Sequence, residues 1–104
     1  FFMSQSITQE TFQLVSKEFQ LAEVKEEFSE EKAVEILTRA VSHMMDRNMG
    51  QLLQICYRVD LDENKLKQIL HSSNPDFVAA DLAQALWDRQ KLKIEIRRRY
   101  SEGK

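Results

Sequence analysis

Glycine and proline punctuate this chain at only three positions, Gly50, Pro75 and Gly103. All-β folds need many more turn residues than that, so a chain of 104 residues so poor in them leans strongly to helices. The length suits one domain and is short for two. Hydrophobic residues make up 42% and charged ones 31% of it. That is enough apolar surface for a core without crosslinks, and too much for a disordered tail. The expected fold is all-α: one compact bundle of four or five helices over residues 1–104, closing on a long C-terminal helix. Breaks are expected near Ser29, Asn48–Gly50, Asp60–Asp62 and Ser72–Asn74.

Residues 1–28 are read as an N-terminal helix packing on the bundle. Ser6 with Gln9 three residues on forms a capping box. Phe12, Val15, Phe19 and Ala22 follow at helical spacing, and Leu14, Leu21 and Phe28 make a second row. Met3–Ser4 reads as a natural start, so Phe1 and Phe2 stay outside the fold reasoning. The N-terminus lacks a basic segment followed by an apolar core, so no secretory signal is expected. No run of about 18 apolar residues exists to span a membrane.

Ser29 to Arg47 is the most regular helix. Ser29 is a good N-cap, and Glu30 and Glu31 sit where the helix dipole favours negative charge. Ala33, Leu37, Ala40 and Met44 form one stripe, widened by Val34, Val41 and Met45. Asn48 and Gly50 then suit a turn. Gln51 to Val59 is apolar on most sides, as a central helix would be. Asn74 caps and Pro75 opens the last helix, expected to run to about Tyr100. Its main stripe is Val78, Leu82, Ala85, Leu86, Leu92, Ile96 and Tyr100.

The stretch Val59 to His71, VDLDENKLKQILH, resembles the start of a calcium loop, with Asp60, Asp62 and Asn64 alternating. An EF-hand needs Gly at the sixth loop position and a bidentate Glu at the twelfth. Lys65 and His71 stand there instead. The stretch is read as a helix start, with Asp62 as N-cap and Leu61 and Leu66 as a hydrophobic staple. No metal or other cofactor is expected.

Other candidates divide in the same way. Cys56 is the single cysteine, which excludes an internal disulfide and fits a reducing, cytoplasmic setting. As a nucleophile it would need exposure, but it falls on an apolar arc, where a thiol is inert. His43, Met44, Met45 and Met49 could hold a soft metal, but they diverge around the helix and read as core packing. Arg97, Arg98 and Arg99 could touch nucleic acid, but consecutive residues encircle a helix instead of forming a face. No Walker, Rossmann, nucleophile-elbow or HExxH pattern appears, so an enzyme is not expected.

Two features point outward. Residues 1–64 carry six Lys or Arg against twelve Asp or Glu, while residues 65–104 carry nine against five. The plain reading is solvated helix faces; the sharper one is an acidic end pairing with a basic end. The second feature is a further apolar stripe on the last helix, roughly opposite the first. It holds Ala80, Ala83, Trp87 and Ile94. A helix that could reach ~39 Å is expected to outrun its own bundle, so Ala83, Trp87 and Ile94 are expected to meet another protein, most simply a second copy in a homodimer. The alternative is that the N-terminal helix covers them.

From about Asn48 to Tyr100, with LLQICYRVDLDENKL and DRQKLKIEIRRRY, the chain resembles a group of small bacterial all-helical proteins. That resemblance implies a helical bundle and no catalytic activity. The expected function is a non-enzymatic module for protein interaction or self-association, with no small-molecule ligand identified. A nucleic-acid-associated regulator using the basic C-terminal helix is the alternative.

Overall fold

The computed structural model describes residues 6–21, 29–72 and 74–102. Among these are five α-helices and no strand: α1 (Ile7–Phe19), α2 (Glu30–Arg47), α3 (Met49–Val59), α4 (Glu63–Ser72) and α5 (Val78–Glu102). A 3₁₀ turn, Pro75–Phe77, leads into α5. The fold is all-α with a long last helix, as expected. Ala22 and Phe28, assigned above to the apolar rows of the N-terminal helix, lie outside the described residues.

Each helix start follows from a short polar side chain that accepts an otherwise unpaired backbone N–H. Ser6 and Gln9 make the reciprocal pair of a capping box: Gln9 N–H donates to Ser6 Oγ at 3.1 Å, and Ser6 N–H to Gln9 Oε1 at 3.4 Å. Ser29 Oγ accepts from Lys32 N–H at 3.1 Å. Asn48 serves two helices. Its own N–H donates to Met44 O at 2.7 Å, and its Oδ1 accepts from Gln51 N–H at 3.1 Å. The break is therefore Asn48 alone, and Gly50 is an ordinary helical residue of α3, not part of a turn. Asp62 Oδ1 accepts from Asn64 N–H at a long 3.4 Å, while its carbonyl accepts from Leu66 N–H at 2.9 Å. Asn74 Oδ1 accepts from Asp76 N–H at 3.0 Å, with Pro75 following.

Two helices end in a residue with left-handed backbone. Gln20 (φ 56°) and Asp60 (φ 65°) each let the next residue reach back: Leu21 N–H donates to Ser16 O, and Leu61 N–H to Cys56 O, both at 3.0 Å. This wraps the last carbonyls without a glycine. Asp tolerates the conformation through its short polar side chain; Gln does so less readily.

The core gathers Phe12 and Val15 from α1, Ala33, Leu37 and Val41 from α2, Leu52, Ile55, Cys56 and Val59 from α3, and Leu66 and Ile69 from α4. It closes on Val78, Leu82, Ala83, Ala85, Leu86 and Trp87 of α5. Full burial of one such aliphatic side chain is worth about 1.5–3 kcal/mol. α5 is the common partner: it packs most extensively on α2 and α1, and also on α3 and α4. Glu10 pairs with Arg98, and Glu18 lies close enough to act on Lys93, so α1 runs antiparallel to the far half of α5. At ~1.5 Å per residue the 25-residue α5 is about 37 Å long, and it dominates the 47 Å long axis of the molecule.

Replacing Gln20 by Gly removes the left-handed strain at the end of α1. Urea denaturation is expected to show a stability gain of about 0.5–1 kcal/mol. A loss would mean that the Gln20 side chain contributes more than its backbone costs.

Candidate functional site

Trp87 is fully buried, and Ala83 and Ile94 are nearly or wholly so. The stripe expected to form an interface is thus interior to the single chain. The correction has a plain physical cause: α1 and α2 lie along that side of α5 and cover it. Ala80 alone of the four is exposed. Burying an indole requires a partner for its N–H, and α2 supplies one at its first helical residue. Trp87 Nε1–H donates to Glu30 Oε2 at 2.7 Å, and Lys91 Nζ lies 2.8 Å from the same oxygen. The bond from Lys91, then the indole N–H, holds the Glu30 carboxyl below its ordinary value, while partial burial opposes them; Glu30 in turn raises Lys91.

The charge asymmetry of the sequence is largely consumed inside the chain. Glu30–Lys91, Glu10–Arg98 and Asp60–Arg89 each join the acidic half to the basic half. Arg58–Glu18, at 3.0 Å, ties α3 to α1. Arg97, Arg98 and Arg99 do encircle α5, as expected: Arg98 turns to Glu10 on α1, while Arg97 and Arg99 are exposed.

What α5 leaves uncovered is the far end of its main stripe. Val78, Leu82, Ala85 and Leu86 are buried, but Leu92, Ile96 and Tyr100 are 40%, 38% and 76% exposed. The sequence reading placed those three in the core. The structure places them outside because α3 ends beside Arg89, where its C-terminal Asp60 pairs at 3.0 Å. At ~1.5 Å per residue, the 11 residues of α3 and 10 of α4 span about 17 and 15 Å. Neither can follow α5 to its end. Those lengths were readable in the sequence and were the signal for an uncovered row. Beside the row stands Lys93, partly desolvated and close to Arg89; both effects push its ammonium below the ordinary lysine value, against Asp60 and Glu18, which raise it.

The other candidates fall as follows. Cys56 is buried, and desolvation pushes its thiol up to about 11, which removes the thiolate that nucleophilic or redox chemistry requires. Met44, Met45 and Met49 pack against the core while His43 is exposed, so the structure does not bring them together as ligands. No group of three or more His, Cys, Asp or Glu among the described residues could hold a metal ion. Asp60 of the calcium-like stretch is engaged by Arg89, and Glu63 already begins α4. Tyr57 is 62% exposed, so α3 is less central than its composition suggested. An open polar groove of about 350 Å³ lies between α4 and α5, with Lys65 and Gln68 facing Asp81 and Asp88. No described helix is long and apolar enough to cross a membrane. No family model matches the chain, and neither a curated protein nor a solved structure does.

Two measurements check this arrangement. Trp87→Glu is expected to abolish cooperative thermal unfolding, because it places a charge in a dry core. Ile96→Glu, on the exposed row, is expected to keep native helicity by circular dichroism. A folded Trp87→Glu variant would show that the indole is not interior.

Glu30 gives the second. Its folded pKa is lowered, so its contribution is full above the ordinary carboxyl value and fades as pH falls below about 4.5. The stability difference between wild type and Glu30→Gln is therefore expected to shrink on acidification through that range. With a pair more than a third exposed at Glu30 and about a third at Lys91, the difference at neutral pH should stay within about 1 kcal/mol. A difference that grows with acid would reverse the assignment.

Proposed function

We propose that this chain is a non-enzymatic helical interaction module that docks another protein through the outer face of α5 beyond Arg89. The observation that carries the reading is the exposed row Leu92, Ile96 and Tyr100, on a helix whose opposite stripe is buried by its own chain at Ala83, Trp87 and Ile94. Apolar residues left uncovered in a row, not scattered singly, mark contact surfaces. The burial of Cys56 supports binding over thiol chemistry. A second copy of the chain is the other protein occupant that the row could take. In this reading the protein is cytoplasmic, in keeping with its single cysteine held as a thiol, and the resemblance to small bacterial helical proteins is part of the same proposal.

Nucleic-acid association is the second reading, favoured by exposed Arg97 and Arg99 on the same stretch of helix. It predicts retention on DNA or RNA that falls steeply with salt.

The test is a photo-crosslinking residue placed singly at Leu92, Ile96 and Tyr100, with exposed His43 on α2 as control, in cells that make the protein. A discrete adduct from the α5 positions and none from His43 is the expected result. Its mass separates a dimer of this 12.3 kDa chain from a foreign partner. Silence at all three α5 positions would remove the reading.

A further inference from the structure

On the docking reading above, we infer that the partner is an acidic amphipathic helix, seated along Leu92, Ile96 and Tyr100 with its carboxylates against Lys93, Arg97 and Arg99. At ~100° per residue, these side chains follow one another around α5 in the order Arg99, Leu92, Ile96, Tyr100, Lys93, Arg97. An apolar strip about 12 Å long at 1.5 Å per residue is thus bordered by cations on both edges. Among the described residues Lys93, Arg97 and Arg99 form no ion pair, whereas the other long-side-chain cations nearby, Arg89, Lys91 and Arg98, are taken by Asp60, Glu30 and Glu10. The arc itself carries no carboxylate; Asp88 and Glu95 lie beyond its Arg99 edge, Asp60 already holds Arg89 at its near end, and Glu18 of α1, which acts on Lys93, is held by Arg58.

That charge pattern chooses among occupants. A second copy seated on the same arc would set cation against cation, which like-charge repulsion disfavours. A bilayer asks for side chains that project into the acyl region, but Leu92 and Ile96 are each about three-fifths covered by their own chain. A nucleic acid would use the cations and leave the apolar strip wet. A helix of opposite charge satisfies both: apolar residues at i, i+3 or i+4, and i+7 lie along two turns of strip, and flanking Glu or Asp meet the cations.

The experiment is selection from a displayed library of helical sequences about 20 residues long, sufficient to hold a helix. Leu is set at i, i+3 and i+7, and the flanks draw freely on Glu, Gln and Lys. The bait is the full chain. Glu-flanked sequences are expected to be enriched, and a representative peptide should lose about tenfold or more in affinity, roughly 1.4 kcal/mol, on either Ile96→Asp or Tyr100→Asp. Tyr100 is the more exposed of the two, so that variant keeps the test clear of folding defects. The combined variant Lys93→Glu, Arg97→Glu and Arg99→Glu is expected to select Lys-flanked sequences instead. Gln- or Lys-flanked survivors that still depend on Ile96 and Tyr100 would overturn the acidic partner and leave the docking reading standing. Survivors indifferent to both residues, or no survivors, would overturn the inference together with its support for docking on this row. Tighter binding to phosphatidylserine vesicles or duplex DNA than to the best peptide, or self-association lost in Ile96→Asp, would also overturn it.

Discussion

A buried indole must keep its N–H hydrogen-bonded, and in this protein that requirement fixes how the helices assemble. Trp87 finds its acceptor in Glu30, the first residue of α2, where a carboxylate is already favoured by the helix dipole. Lys91, one turn further along α5, neutralises the same carboxylate. Three requirements meet at one oxygen atom: the cap region of α2 wants negative charge, the indole wants an acceptor, and the ammonium wants a counterion. Together they set the register of α2 on α5. With α2 in place, Ala33, Leu37 and Val41 meet α5 from one side, and α1 closes the rest.

This arrangement also decides where charge is left over. The acidic first half and basic second half neutralise each other across α1–α5, α2–α5 and α3–α5 contacts. Each pair alone is worth little at a surface, but their sum leaves cations without an ion pair on one stretch of α5, beside an uncovered apolar row. The proposed docking surface is a by-product of helix lengths: α5 continues past the end of α3 and α4, and the stripe that those helices cover near Val78 emerges at Leu92. A groove between α4 and α5 exists as well, but its polar walls are exposed side chains over buried Ile69 and Ala85, and none of its lining residues is a buried polar group that could orient a ligand.

Much of the fold was legible in the sequence because the signals are local. Ser6, Ser29, Asp62 and Asn74 act at the helix starts assigned to them, since a short polar side chain reaches an N–H two or three residues on whatever the surroundings. The apolar faces of α2 and α4 also follow from spacing. Gly50 was misplaced because glycine permits a turn without requiring one, and Asn48 alone satisfied both helix ends. The left-handed ends at Gln20 and Asp60 carried no such signal, because neither residue is a glycine.

The candidate site was not legible in the same way. The sequence by itself determined that the chain is helical, where its helices begin, and that α5 has two apolar stripes. Only the tertiary structure decided that one stripe is interior from Ala83 to Ile94 and that the other is covered only at its near end. Periodicity defines the faces of a helix, but coverage of a face depends on the lengths and directions of its neighbours. So Ala83, Trp87 and Ile94, which read as an interface, are core, and Leu92, Ile96 and Tyr100, which read as core, are surface.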